Sequence, residues 1–406
     1  MSIDCPKPPI PESLRGIEVG TFTYESIVER LPEIGWRMLA ENEFPPAVVA
    51  GLESLLKGIP DGTVQPLTDA EAPDAADWSR YVEPYLEQNW LEVPWFFAEN
   101  YFYRRILDIT GYFQKGPGQA LDPFLYQKRR GLETSHQSIR GLSRQVNQSL
   151  KKVRKREEAL ANLLAVDLWG NQADLSMWPS GEDIPNHQDT GQQRAHTLVD
   201  DSGFITDYVL GLDNRAGRID LMLDNVGLEL VSDLYLAAFL LEQNLVKRVC
   251  LHAKVHPTFV SDAMIKDVQQ TVMFLAADDD QEVASIGRLL SGLLENGRLQ
   301  LQAHWFWTSP LEMWRMPAPL KQELGLSNLL ISKGDANYRR LLGDRHWPYT
   351  TPFADIVSYL PAPVVALRTL KSEVAAGLSP GQPEEVTERD PEWLFNGRWG
   401  VIQFKG

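Results

Sequence analysis

The sequence predicts an α/β fold, a three-layer α/β/α sandwich around a mostly parallel sheet, preceded by a helical N-terminal domain. Three observations lead there. Apolar residues recur at three- and four-residue spacing through the first part of the chain. After about Val199, short apolar runs alternate with helical segments, as in a parallel sheet covered on both faces. Between the two regions the composition breaks into a loop with Pro179, Gly181, Pro185 and Gly191. The division falls into a helical domain over 1–198 and an α/β/α domain over 199–406.

Taken in order, helical periodicity runs through Ile27 to Leu56 and Trp90 to Ile109, with few turn signals between. From Gln137 to Asp167 a stretch rich in Lys, Arg, Glu, Leu and Ala predicts one continuous helix. Its basic run, Lys151 to Arg156, reads as a solvated helix face. Strands are predicted at Arg218 to Leu223, Lys247 to His252, Leu299 to Trp305, Asn328 to Ser332 and Val364 to Leu367. Helical patterns at Glu229 to Glu242, Asp262 to Ala276 and Asp280 to Glu295 separate most of them, and Asp278, Asp279 and Asp280 suit a helix start, where the macrodipole favours acids. Ser379 to Asp390 reads as an excursion before a last strand, Gly400 to Phe404.

The composition narrows the partners. With 39 basic against 55 acidic residues, the net charge of -16 repels polyanions, which argues against nucleic acid and anionic membrane surfaces. No apolar run approaches the ~18 residues that cross a bilayer. The proline-rich start carries no basic segment followed by an apolar one, and the two cysteines, Cys5 and Cys250, form no framework, so a cytoplasmic location is expected.

In open parallel sheets ligands bind beyond the carboxyl ends of the strands, where the next helix N-terminus points at them. Those positions hold Asp224, Asn225, Gly227 and Glu229 after the first predicted strand, His252, Lys254 and then Ser261 and Asp262 after the second, Lys333, Gly334, Asp335 and Asn337 after the fourth, and Arg368 and Lys371 at the last. Asp224, Asn225 and Asp262 offer two carboxylates and an amide carbonyl, a hard oxygen set suited to Mg2+ or Mn2+. Helix capping alone would also account for either aspartate. Lys333-Gly334 can set a cation and free N–H groups around a phosphate, although the order is not that of a Walker loop. His252 and His256 straddle a strand end and Pro257, unlike the two histidines of a zinc helix.

These residues resemble a known family, the metal-dependent damage-control phosphatases, in the branch of the acidic residue methyltransferase-like proteins. The resemblance rests on Asp224-Asn225-x-Gly227-x-Glu229, Val260-Ser261-Asp262, Lys333-Gly334-x-x-Asn337-Tyr338-Arg339 and Arg368-Thr369-x-Lys371, with Leu168-Trp169-Gly170-Asn171-x-x-Asp174 upstream. It covers most of the chain, and departs from the family pattern at Val226 and Thr258. It implies a helical domain on an α/β/α catalytic core, with one divalent ion (Mn2+, Mg2+, Co2+ or Ni2+) on Asp224, Asn225 and Asp262. It also implies that Lys333 and Asn337 meet a phosphate while Asn171, Glu229 and Arg368 line the sugar side. Hydrolysis of small sugar phosphates, fructose 1-phosphate-like, is the activity expected from it, with Asp224, Asp262 and Lys333 at the chemistry. The alternatives are an S-adenosylmethionine-dependent carboxyl methyltransferase, whose glycine-rich turn after the first strand is missing, and a non-catalytic sugar-phosphate sensor.

Overall fold

The computed structural model describes residues 4–151, 155–170, 195–212 and 217–406. A seven-stranded sheet runs through the centre in the order β1-β7-β6-β5-β2-β3-β4. Its strands are β1 (Thr197–Asp200), β2 (Arg218–Met222), β3 (Arg248–Ala253), β4 (Leu299–Ala303), β5 (Leu329–Lys333), β6 (Val364–Thr369) and β7 (Gly400–Lys405). The five strands from β6 to β4 are parallel, whereas β7 pairs antiparallel with β6 and carries β1 at the edge. β2 is the central rung, with Leu221 opposite Leu251 of β3 on one side and Ile331 of β5 on the other. Every residue of β2 and β5 is buried, which explains their near-continuous apolar runs.

The strands follow the sequence reading closely, with two differences. β4 stops at Ala303 because the His304 ring accepts from the Phe306 amide and winds Trp305–Thr308 into a single tight turn. β1 escapes the periodicity because it is four residues long and only half-buried.

The helices that matter for the site are α1 (Trp95–Thr110), α2 (Leu125–Thr134), α3 (His136–Lys151), α4 (Arg156–Trp169), α5 (Leu228–Glu242), α6 (Ile265–Ala276), α7 (Gln281–Glu295) and α8 (Gly334–Leu342). The stretch expected as one helix over 137–167 is two, α3 and α4. The basic run between them sets Lys151 against Lys155 and Lys152 against Arg156 at four-residue spacing, where like charges repel on a helix. The helix expected to open at Asp262 begins at Ile265, and its first turn is tied by the Met264 amide donating to Asp267 Oδ2.

Two apolar layers cover the sheet. One joins α3 to α7 with Ile219, Leu221, Ile331, Val365 and Leu367 of the strands. The other joins Ile27, Leu31, Trp95, Phe102 and their neighbours from the N-terminal helices with Met222, Leu330, Val364 and Ala366. The N-terminal helices thus share a core with the sheet. Polar ties reinforce the contact: Arg339 of α8 reaches Glu99 of α1 and Asp344, and stacks 3.6 Å over the Trp95 ring. Within the N-terminal layer, fully buried Arg104 pairs with Asp69 at 2.9 Å and Asp74 at 2.8 Å. No helix among the described residues is long and apolar enough to cross a membrane.

Candidate active site

The strand order reverses between β2 and β5: the chain leaves β2 toward β3 and β4, then returns to lay β5 on the opposite side of β2. Such a switch point opens a crevice at the carboxyl edge of the sheet, flanked by the next helix N-termini. Here those are α5, beginning after Gly227, and α8, beginning at Gly334. Gly227 takes φ +85 and ψ −144, a conformation reserved for glycine, and so turns the chain from β2 into α5 within a few residues.

Backbone bonds bring the first two sequence motifs together. The Ala263 amide donates to Asp224 O at 2.7 Å and the Val226 amide to Ser261 O at 2.8 Å, so that Asn225 and Asp262 face each other across an antiparallel bridge. Phe259 and Val260, just before, both hold positive φ, a conformation that costs energy for residues with a Cβ. Tyr103 and Phe96 of α1 pack on the Phe259 ring, with centroids 5.2 and 6.1 Å away, and brace this bend.

Side chains then converge. Asn225 Nδ2 donates to Asp224 Oδ2 at 2.8 Å and to Glu229 Oε2 at 3.1 Å, while Asn225 Oδ1 accepts from Ser261 Oγ at 2.5 Å. Lys254 Nζ lies 3.0 Å from Asp262 Oδ2. Asn337, one turn into α8, donates to Leu223 O at 3.0 Å and Lys333 O at 2.9 Å. Gly334 belongs to the same cluster for a steric reason: a Cβ on it would stand 1.9 Å from Asp224 Oδ2.

Asp224 and Asp262 are 4% and 1% exposed, and Asp224 Oδ1 and Asp262 Oδ1 have no hydrogen-bond partner among the described residues. Burial drives the Asp224 carboxyl well above its usual range, and the charges of Asp262 and Glu229 push the same way. Burial also raises Asp262, against the pull of Lys254. Neither aspartate caps a helix: the caps of α5 and α6 are Gly227 and Met264. A buried pair of acids with spare oxygens is costly unless something positive joins it. The donor set, carboxylate and amide oxygens only, fits a hard divalent cation.

The two cations expected beside a phosphate or sugar are engaged by the protein itself. Lys333 Nζ donates to Asp167 O at 2.6 Å and stands 2.9 Å from Asp167 Oδ1, 3.2 Å from Asp233 Oδ1 and 4.0 Å from Glu229 Oε1. These carboxylates, led by Asp167, raise the ammonium pKa despite complete burial. Arg368 pairs with Asp335 at 2.8 Å, donates to Val374 O, Ser372 O and Ser372 Oγ, and stacks over Tyr338. Glu229 is brought to the cluster, whereas Asn171 lies outside the described residues. Sequence reasoning missed Asp167 and Asp233. Asp233 carried a signal, since it is an acid inside the otherwise apolar run Leu230 to Leu241, where only a buried partner could hold it.

A second group of ligand-type side chains, Asp220, Cys250 and His252, lies buried further down β2 and β3. Arg218 already takes Asp220 through two bonds of 2.7 and 2.6 Å, and His252 Nε2 stands 2.7 Å from Asp220 Oδ1. Burial pushes the Cys250 thiol up to about 12, leaving it protonated. This is a closed ion-pair network. His256, 3.9 Å from Asp74, takes no part in it.

Paired acids at the switch point of a mostly parallel sheet, under two helix N-termini, make this an α/β protein with a buried carboxylate site whose oxygens would suit a divalent cation. The family model of the damage-control phosphatase ARMT1-like domain matches residues 24–386. Damage-control phosphatase ARMT1 of Danio rerio is 32% identical over 438 residues, covering 97% of either chain. That of Homo sapiens is 30% identical over 440 residues, covering 98% of this chain and 99% of the relative. Among solved structures, a DUF89 family protein from Pyrococcus horikoshii aligns with a TM-score of 0.49 at 15% identity, over 94% of this chain and 97% of its own. The chain belongs to the ARMT1-like damage-control phosphatase family.

Proposed function

We propose that the protein is a divalent-metal-dependent phosphomonoesterase that removes phosphate from small, fructose 1-phosphate-like sugar phosphates, as a repair activity on metabolites. The observation that carries this reading is the buried Asp224–Asp262 pair with its unpartnered oxygens at the switch point. Asp224, Asn225 and Asp262 would hold the ion, with Mn2+, Mg2+, Co2+ and Ni2+ as candidates. Such an ion polarises phosphoryl oxygens and lowers the pKa of a nucleophilic water.

The chain's own groups have distinct tasks in this reading. Ser261 and the Asn225 amide fix the Asp224 and Glu229 carboxylates relative to one another. The N-termini of α5 and α8 favour negative charge at the crevice. Asn337 and Lys333 belong to the phosphate side. Lys333 acts there through its charge, since its N–H groups are turned to Asp167 and Asp233. Glu229, Arg368 and Asn171 belong to the sugar side.

The test is release of inorganic phosphate from a panel of sugar phosphates, with each metal and with chelator. Metal-dependent release that disappears in Asp224→Ala supports the proposal. Release indifferent to chelator, or methyl transfer from S-adenosylmethionine without phosphate release, overturns it.

A further inference from the structure

We infer that Lys254 is a further catalytic residue of this site, whose ammonium contacts the phosphoryl oxygens directly. The inference rests on the phosphomonoesterase reading above and adds a residue to it.

A phosphomonoester adds negative charge to a site that already holds Asp224, Asp262 and Glu229, so a cation with unspent N–H groups is needed beside any metal. Lys333 has three donors; Asp167 O accepts at 2.6 Å, and the ammonium is ion-paired to Asp167 Oδ1 at 2.9 Å and Asp233 Oδ1 at 3.2 Å. Arg368 is directed at Asp335, Ser372 and Val374 O. Arg339 is directed at Glu99 and Asp344.

Lys254 differs from all of these. It follows β3 directly, at the carboxyl edge of the sheet, and is 3% exposed. Its single short contact is Asp262 Oδ2 at 3.0 Å, while Leu223 O and Asn337 Oδ1 stand at 3.4 Å, near the limit for a hydrogen bond. Two of its three N–H groups are therefore weakly used. They lie between a proposed metal ligand, Asp262, and the phosphate-side amide of Asn337. The backbone holds this position, because Lys254 N donates to Ala263 O at 2.9 Å in the same segment that carries Asp262. The contact is a hydrogen bond to a non-bridging phosphoryl oxygen; no bond is made or broken at Nζ.

The experiment measures Mn2+ binding, and then inorganic phosphate binding to the Mn2+-saturated protein, by calorimetry for the wild type, Lys254→Met and Lys254→Arg. Lys254→Met is expected to keep or gain Mn2+ affinity, because the ammonium that competes for Asp262 is gone, and to lose phosphate affinity about ten- to a hundred-fold. Lys254→Arg is expected to recover part of that loss. Unchanged phosphate affinity in Lys254→Met overturns the inference, as does a loss of Mn2+ affinity, the sign of a merely structural lysine that places Asp262. A wild type that binds Mn2+ but no phosphate overturns the phosphatase reading and this inference together, and is distinguished by needing no variant at all.

Discussion

Gly334→Ala separates the cost of a strained backbone from the cost of moving Asp224, the proposed metal ligand. Gly334 sits at φ +75, and a Cβ there would stand 1.9, 2.4 and 2.8 Å from Oδ2, Cγ and Cβ of Asp224. Since a Cβ contact under 3.0 Å is essentially never seen, the Asp224 carboxylate must retreat by about 1 Å. The left-handed backbone alone costs about 1–2 kcal/mol once a Cβ is present. Displacing a group at a reacting centre by about 1 Å costs on the order of 10²-fold in rate. Gly297 supplies the control, because it has φ +72 and nothing within 4 Å of its Cβ position. Gly297→Ala should lose about 1–2 kcal/mol in urea unfolding without metal, and Gly334→Ala about 1–3 kcal/mol more because of the overlap with Asp224. Only Gly334→Ala should also lose most of the Mn2+-induced rise in Tm, with phosphate release falling about 10²-fold. Equal Mn2+ responses in the two variants would refute the steric link between Gly334 and Asp224.

Other expectations follow from the same contacts. Asp224→Ala should leave the metal-free protein no less stable, since it relieves the repulsion with Asp262, yet abolish stabilisation by Mn2+, worth about 2.7 kcal/mol at a hundred times Kd; persistent stabilisation in calorimetric scans would contradict the ligand assignment. Lys333→Met strands Asp167 and Asp233 without their counter-ion and should cost about 3–5 kcal/mol in urea unfolding, whereas Asp233→Asn, which keeps a polar partner, should cost much less. Burial, only partly offset by Arg104, raises the Asp69 carboxyl to about 6. Its contribution to stability is therefore full below about pH 4 and lost as pH rises through about 6, by on the order of 3 kcal/mol. Asp69→Asn should gain on the wild type between about pH 4 and 7, and a constant difference across that range would count against it.

Much of this was legible because a buried parallel strand leaves a plain signature. The runs at Arg218, Lys247, Leu299, Asn328, Val364 and Gly400 all became strands, and the residues after β2, β3 and β5 meet at one end of the sheet. Asp224, Asn225 and Asp262 meet because backbone bonds join the two strand ends, a long-range pairing that the motifs only implied. What failed to show lay in tertiary partnership. The break between α3 and α4 falls inside a strongly helical composition, and the engagement of Lys333 depends on acids contributed by α4 and α5. A strand-end lysine is visible in sequence, but which of its donors remain unspent is not.

The Glu99–Arg339 tie has a consequence for how the protein can be taken apart or recombined. Arg339 is five residues into the helix whose first residue abuts Asp224, and its partner Glu99 is 240 positions earlier in the chain. An N-terminal segment borrowed from a relative would arrive with its own answer to that buried arginine. Chimeras between family members should therefore succeed or fail by whether the Trp95–Glu99 and Arg339–Asp344 sets travel together, and inheritance at these positions should be joint even though they lie on opposite sides of any boundary drawn near residue 198.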